Sequence, residues 1–479
     1  MAENAMNGIV KKLIDALGTE SVRFGDAIEP RYLGDWSGRS PVPPLAVVLP
    51  RSTDEVATLL RLCNEARQSV VPQGGMTGLA GGAIPSGGDI CVSLERLVGI
   101  EEVDRAAATM TVLAGTTLQT VQDAAQEAGF EFALDLGARG SCQIGGNLAT
   151  NAGGVRVLQS GTARDQVLGL EVVLADGSVL SSMNKMVKNN TGYDLRNLFI
   201  GSEGTLGVIT RAVLRLKPRR AARNTALCAL KDYDDAVALL RSLQATFGDE
   251  IGAFEIMWPE FYDFGVRLTR SRQSPLGQAY PLYALIEQAG FSDDHGERFA
   301  AALNAQLEAG VVLDAVVAQS QAATQALWAI REATAELPVK MEPINFDVSL
   351  PIGEIGHFVD ACRKDFAARW PTHYGLYFGH IGDSNLHVTL DARSIPGVTV
   401  EEVDRALYGM VRDYSGSISA EHGIGVLKRP FLGYSRSPAE LACMHAIKHA
   451  LDPHGILNPG KVLPEMLPEV LSAVEQGTQ

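Results

Sequence analysis

From about residue 45 the chain alternates short apolar runs with amphipathic segments. "LAVVLP" reads as a strand, and "STDEVATLLRLCNEAR" after it repeats apolar residues at helical spacing behind Ser52 or Thr53 as the N-cap. "SVVPQGG" reads as a strand running into a glycine turn. "DICVSLERL", "ATMTVLAGTTL" and "VLGLEVVLADGSVL" add further strands, the last folding back at Ala-Asp-Gly. This β-rich, glycine-rich half closes near "GVITRAVLRLKPRR", residues 207–220. From about 221 to 450 glycines thin out. There "DYDDAVALLRSLQATFG", "AFEIMWP", "PLYALIEQAG", "GERFAAALNAQLEAG" and "TQALWAIREATAEL" mix helical and strand patterns, the order of an α+β domain with an antiparallel sheet. The tail "HALDPHGILNPGKVLP" is punctuated by Pro and Gly and is expected to return to the first domain. The expected divisions are 1–220, 221–454 and 455–479.

Composition narrows the class. A chain of 479 residues is too long for one ordinary core, so two or three domains are expected. Hydrophobic content of 46% and charged content of 20% suit a globular protein. A formal net charge of -15 argues against nucleic acid or anionic membrane as the main partner. Six scattered cysteines without a Cys-x-x-Cys pair fit reduced thiols. "MAENAMNGIVKKLIDALG" reads as an amphipathic helix without the apolar core of a signal peptide, and no run is long enough to span a bilayer. The expectation is a cytoplasmic protein.

Three glycine-rich stretches interrupt the first half. "PQGGMTGLAGG", 72–82, follows a strand with consecutive glycines whose bare N–H groups suit an anion nest for a pyrophosphate; a mobile surface loop is the plainer reading. "GARGSCQIGGNLATNAGG", 137–154, sets Ile144 and Leu148 among Gly145, Gly146, Gly153 and Gly154, with Thr150 and Asn151 as small polar groups. "NNTGYDLRNLFIGSEGTLGVIT", 189–210, runs from an apolar segment through a glycine turn into a β-branched strand. One extended ligand lying across the domain accounts for all three.

Histidine is distributed oppositely. The chain has nine, none before His295. "YGLYFGHIGDSNLHVTL" reads as strand, tight turn, strand, which brings His380 and His387 into neighbouring positions. Further on, "SAEHGIG" places Glu421 and His422 after a strand-like "GSISA". Two histidines and a carboxylate make a metal site with open positions, suited to Zn²⁺, with Mn²⁺ or Fe²⁺ also compatible. Hydrogen-bonded core histidines are the other reading. His295, His357, His373, His445, His449 and His454 have no such setting and are expected on surfaces or helices.

"GSCQIGGNLATNAGG", "KNNTGYDLRNLFIGSEGTLG", "SAEHGIG" and "LNPGK", in this order, resemble the FAD-linked D-2-hydroxyacid dehydrogenases, a branch of the p-cresol methylhydroxylase and vanillyl-alcohol oxidase superfamily. The resemblance runs from about residue 40 to 465. It implies an α+β fold, with a two-part FAD-binding domain and a substrate domain whose antiparallel sheet is flanked by helices. No Rossmann Gly-x-Gly-x-x-Gly opens a helix here. The FAD contacts it implies fall on Pro72, Gln73, Gly74, Gly75, Thr77, Gly78, Leu79, Gly137, Ser141, Gly145, Gly146, Ala149, Thr150, Asn151, Gly154, Glu203, Gly207, Ile209 and Asn458. With no histidine in that half, an 8α-histidyl bond is ruled out; Cys142 reads as a packing residue, and FAD is expected to be dissociable.

The same resemblance makes His380, His387 and Glu421 the metal ligands, His422 the general base, and Arg331, Thr334, Asn385 and Thr389 substrate contacts. It also exposes departures. The family's lysine falls on Asn345, its threonine four positions after the arginine on Ala335, and its asparagine after the second histidine on Thr389. The implied reaction is oxidation of a D-2-hydroxy acid to the 2-oxo acid, with D-2-hydroxyglutarate favoured and D-lactate or a related acid the alternative. The implied acceptor is an electron-transfer flavoprotein or quinone rather than NAD, although direct return of electrons to O₂ is left open. A homodimer is compatible with it.

Overall fold

A computed structural model describes residues 8–220, 222–291 and 295–465. They form two compact units. The first takes the described residues up to Gly154, then Thr162–Pro218, then the chain from Glu421 onward; the second takes Val155–Gly161 and Arg219–Ala420.

The first unit holds two principal sheets. Strands β1 (Val22–Phe24), β2 (Ala46–Val48), β3 (Val70–Gln73) and β4 (Ile90–Ser93) are ordered β1-β2-β4-β3, with β2, β4 and β3 parallel. The helix Thr53–Glu65 makes the crossover, capped by Ser52, whose side chain accepts from the Glu55 N–H. Strands β5 (Ile100–Asp104), β6 (Thr109–Leu113), β7 (Val167–Val173), β8 (Val179–Ser182) and β9 (Val208–Arg215) form an antiparallel sheet ordered β5-β6-β9-β7-β8. One continuous core of Val, Leu, Ile and Ala packs between the sheets and their helices. Burial of that apolar area supplies the main stabilisation. The buried Glu171 on β7 is answered by the hydroxyls of Thr53 (2.7 Å), Ser181 (3.0 Å) and Thr210 (3.1 Å) and by Arg211 (3.2 Å).

In the second unit β10 (Ala222–Leu230), β11 (Ile251–Met257), β12 (Leu282–Gly290), β13 (Asp314–Val317), β14 (Pro343–Ser349), β15 (Gly375–Gly379) and β16 (Asn385–Asp391) form one antiparallel sheet. Its order is β13-β10-β12-β11-β15-β16-β14. On one face Met257, Tyr283, Leu285 and Phe378 pack with the helices Pro259–Leu268 and Gln321–Arg331. Phe261 stacks on Phe378 with ring centroids 4.0 Å apart, and Tyr262 on Tyr283 at 3.6 Å. The α+β class and the antiparallel substrate-domain sheet are as the pattern predicts.

Two features differ from expectation. "GSISA" forms no strand but a single bridge, Ser349 with Ser417, because Ser417 turns its hydroxyl onto the Ser419 carbonyl and interrupts the ladder. The chain also rejoins the first unit from Glu421, ahead of the expected 455, because the segment after it is bonded to that unit's own loops.

Candidate active site

The three glycine-rich stretches converge in the first unit. A Cβ on Gly75 would land on the Ser141 carbonyl, and one on Gly74 would touch Gly146 Cα at 3.4 Å, so the loop after β3 lies main chain to main chain on the helix Ile144–Ala149. The N–H of Glu203 donates to the Ala149 carbonyl at 2.7 Å, and a Cβ on Gly204 would meet Pro72 at 3.0 Å. Asn458 donates from its side-chain amide to the carbonyls of Gly82 (2.9 Å) and Glu203 (2.7 Å). Pro72, Gln73, Gly74, Gly75, Ser141, Gly145, Gly146, Ala149, Glu203 and Asn458 thus belong to one neighbourhood. Thr150 and Asn151 close the helix there, Asn151 with φ 50°, while Gly207 and Ile209 open β9, whose Ile209 is core. Thr77, Gly78 and Leu79 continue the loop after β3, with Leu79 exposed. Gly154 packs on the Asp135 carbonyl, and a Cβ on Gly137 would meet nothing within 4 Å among the described residues.

This neighbourhood fits FAD on two counts. The glycine cradle excludes side chains where a flat, extended ligand would need main-chain access. Around it the buried oxygens Gln73 Oε1, Gln143 Oε1 and Asn458 Oδ1 have no partner among the described residues, and a bound polar ligand would satisfy them. Glu203 also has a role within the protein. Its carboxylate accepts the N–H groups of Ile424 (2.6 Å) and Gly425 (2.8 Å) and so grips the segment that carries His422. Burial pushes its pKa up against those N–H groups and the charge of Lys428. Cys142 is buried and unpaired beside Gly75, a packing residue as expected.

In the second unit the hairpin of β15 and β16 turns at Ser384, which takes the left-handed conformation at φ 75°. It sets His380 and His387 with ring centroids 5.4 Å apart. The boundary between the units runs through the Ala420–Glu421 peptide, and the Ala420 N–H donates to Asp347 Oδ2 at 3.2 Å. Ligand atoms of His380, His387 and Glu421 lie within 4.8 Å of one another, and so do those of Asp347, Glu421 and His422. Two imidazoles and a carboxylate are the donor set of a divalent-metal site with open positions.

Register explains why Asp347 and His387 share a face. Asp347 pairs with His387, Asn345 with Thr389 and Ser349 with Asn385, so alternate residues of β14 and β16 point the same way. Asn385 donates to Asp347 Oδ1 at 3.2 Å, and the Thr389 hydroxyl donates to Asn345 Oδ1 at 2.8 Å. The two departures, at 345 and 389, are therefore partners. Thr334 lies half-buried in the turn Glu332–Glu336.

Arg331 ends its helix 6% exposed, with Nε donating to Glu255 Oε2 at 2.6 Å and Nη2 lying 3.4 Å from His380 Nε2. The other oxygen of Glu255 bonds His380 Nδ1. Burial would push the Glu255 carboxyl up, but the charges of His380 and Arg331 hold it below its usual range. Burial drives Asp383, in the turn beside His380, up to about 6. Glu255 and Asp347 were not singled out by sequence reasoning. The available signal was one acidic residue inside an apolar strand, "AFEIM" and "NFDVS". His357, His449 and His454 are exposed and His373 and His445 half-buried; the side chain of His295 lies outside the described residues.

Comparison with known proteins agrees with this architecture. Residues 44–182 match the FAD binding domain family and residues 219–462 the C-terminal domain of FAD linked oxidases. A D-2-hydroxyglutarate dehydrogenase of Xanthomonas citri pv. viticola is 40% identical over 90% of this chain and 92% of its own. The mitochondrial D-2-hydroxyglutarate dehydrogenase of Bos taurus is 39% identical over 87% and 76%. Among solved structures, p-cresol methylhydroxylase superposes with a TM-score of 0.73 at 16% identity, over 96% of this chain and 98% of its own. The 4-ethylphenol oxidase of Gulosibacter chungangensis gives 0.73 at 19%, over 95% and 97%. By both halves of its length, the chain belongs to the FAD-linked oxidase family and is an FAD-dependent dehydrogenase related to the D-2-hydroxyglutarate dehydrogenases.

Proposed function

We propose that this protein oxidises D-2-hydroxyglutarate to 2-oxoglutarate and needs a divalent metal, zinc being the first candidate, held by His380, His387 and Glu421. The observation that carries the reading is that ligand atoms of His380, His387 and Glu421 lie within 4.8 Å of one another, with Arg331 beside His380. The names of its relatives support the substrate. When bound, FAD supplies the hydride acceptor and the metal a Lewis acid for the C2 hydroxyl. His422 accepts the hydroxyl proton on a ring nitrogen, with Asp347 at hand to support the charged imidazole. Arg331 is the cation for a substrate carboxylate through the guanidinium edge not engaged by Glu255.

A shorter acid such as D-lactate is the second reading. It is favoured by the commitment of Arg331 Nε to Glu255 and by the Asn345–Thr389 pair standing where the family keeps a lysine and an asparagine. The deciding experiment is anaerobic flavin reduction against D- and L-2-hydroxy acids, with and without a chelator. D-2-hydroxyglutarate should bleach the flavin fastest and chelator should stop it. A preference for monocarboxylates would replace the substrate, and full speed after metal removal would end the metal reading. The expected electron acceptor is an electron-transfer flavoprotein or a quinone, assayed by adding each to the reduced enzyme.

A further inference from the structure

We infer that Glu255 is the positioning residue of the metal centre: one buried carboxylate sets both the ring of His380 and the guanidinium of Arg331. The inference rests on the metal reading above and adds to it a residue that neither the ligand set nor the substrate contacts include.

Glu255 is fully buried on β11, between Phe254 and Ile256 in an otherwise apolar run. An acidic side chain there is strongly unfavourable unless each oxygen has a partner. Both do. Oε1 bonds Nδ1 of His380, and Oε2 takes the Nε–H of Arg331 at 2.6 Å. With a carboxylate on Nδ1, the proton of His380 resides on that nitrogen and the Nε2 lone pair is left for a metal. Arg331 Nη2, a donor 3.4 Å from Nε2, agrees with an unprotonated nitrogen there.

The second partner is clamped as well. The Arg331 guanidinium lies 4.8 Å from the Phe378 ring centroid and 5.9 Å from that of Phe261. Phe378 in turn pairs across the hairpin with His387, its ring 5.0 Å from the imidazole. Backbone alone does not settle the His380 ring, because the residue sits at the start of a short turn, beyond the end of β15. The side chain that orients it therefore comes from a strand far away in sequence.

The test uses the full-length flavoprotein with Glu255→Gln, which keeps the volume but offers one acceptor where two are needed. Zinc affinity is read by competition with a fluorescent chelator, and flavin content and Tm report folding. Zinc binding should weaken roughly 10- to 100-fold, saturating zinc should restore most of kcat, and KM for the 2-hydroxy acid should stay raised because Arg331 is still misplaced. A variant with normal flavin content that binds zinc as tightly as the parent overturns the inference and leaves the proposed function standing. A parent that binds no zinc ends both. Should the variant not fold, histidine side-chain NMR of the zinc-loaded parent decides. Nε2 coordination with a protonated Nδ1 is expected for His380, and coordination through Nδ1 refutes it.

Discussion

In the first unit loops meet through main chain: Gly74 and Gly75 lie against Ser141 and Gly146, and the Glu203 N–H bonds the Ala149 carbonyl. In the second, the work falls to charged side chains buried on strands, Glu255 between His380 and Arg331, and Asp347 beneath Asn385 and Ala420. The difference teaches what each half tolerates. A cradle of glycines has no room for one more carbon but is indifferent to charge, whereas a face of answered charges accepts equal volume and fails when a donor or acceptor is lost.

The sharpest way to break the comparison is at His422. His422→Asn should lower kcat by about 10²- to 10⁴-fold with flavin content unchanged, measured by anaerobic flavin reduction; a small drop would remove it as the proton acceptor. Gly75→Ala comes next and should do the reverse. Its Cβ would meet the main chain of Ser141 and Cys142, so about 3 kcal/mol or more of stability and most of the flavin should be lost, read by Tm and the flavin-to-protein absorbance ratio.

Asp383 sharpens the comparison through pH. Its folded pKa of about 6 lies above the 3.8 of an ordinary aspartate, so between those values the folded metal-free protein holds a proton that the unfolded chain releases. Stability from this group is present below pH 3.8 and falls away as pH rises through about 6. Asp383→Asn should therefore stabilise the metal-free protein by about 3 kcal/mol at pH 8, with little gain at pH 4, as followed by denaturant melts at both. The smallest effect is expected at Asn345 and Thr389. A double-mutant cycle with Asn345→Ala and Thr389→Val should show a coupling of about 1 kcal/mol; zero coupling would mean that the pair does not form.

The same contrast governed what could be read from the chain. The glycine cradle was legible because its parts are contiguous words, "QGGMTG" or "QIGGNLATN", and because a helix cap such as Ser52 acts within four residues. His380 and His387 were legible because one hairpin joins them. Glu255 was not. Its partners lie 76 and 125 residues away, and no local pattern distinguishes an acidic residue that serves a histidine from one that faces water. The role of Glu203 was missed for the same reason, its bonds reaching 221 and 222 residues along the chain. The Asn345–Thr389 pair depended on strand register, which two separated sequence segments do not reveal.

Strand β3 lies at one edge of its sheet, and there the N–H of Val70 donates to the Ile456 carbonyl while the Asn458 N–H donates to that of Val70. On the ribosome, then, β3 emerges well before the segment that seals it. Until residues 456–458 are available, β3 stays an open template for a stray strand. Released chains truncated before residue 456 should clump or recruit chaperones, whereas those that extend beyond 458 should not.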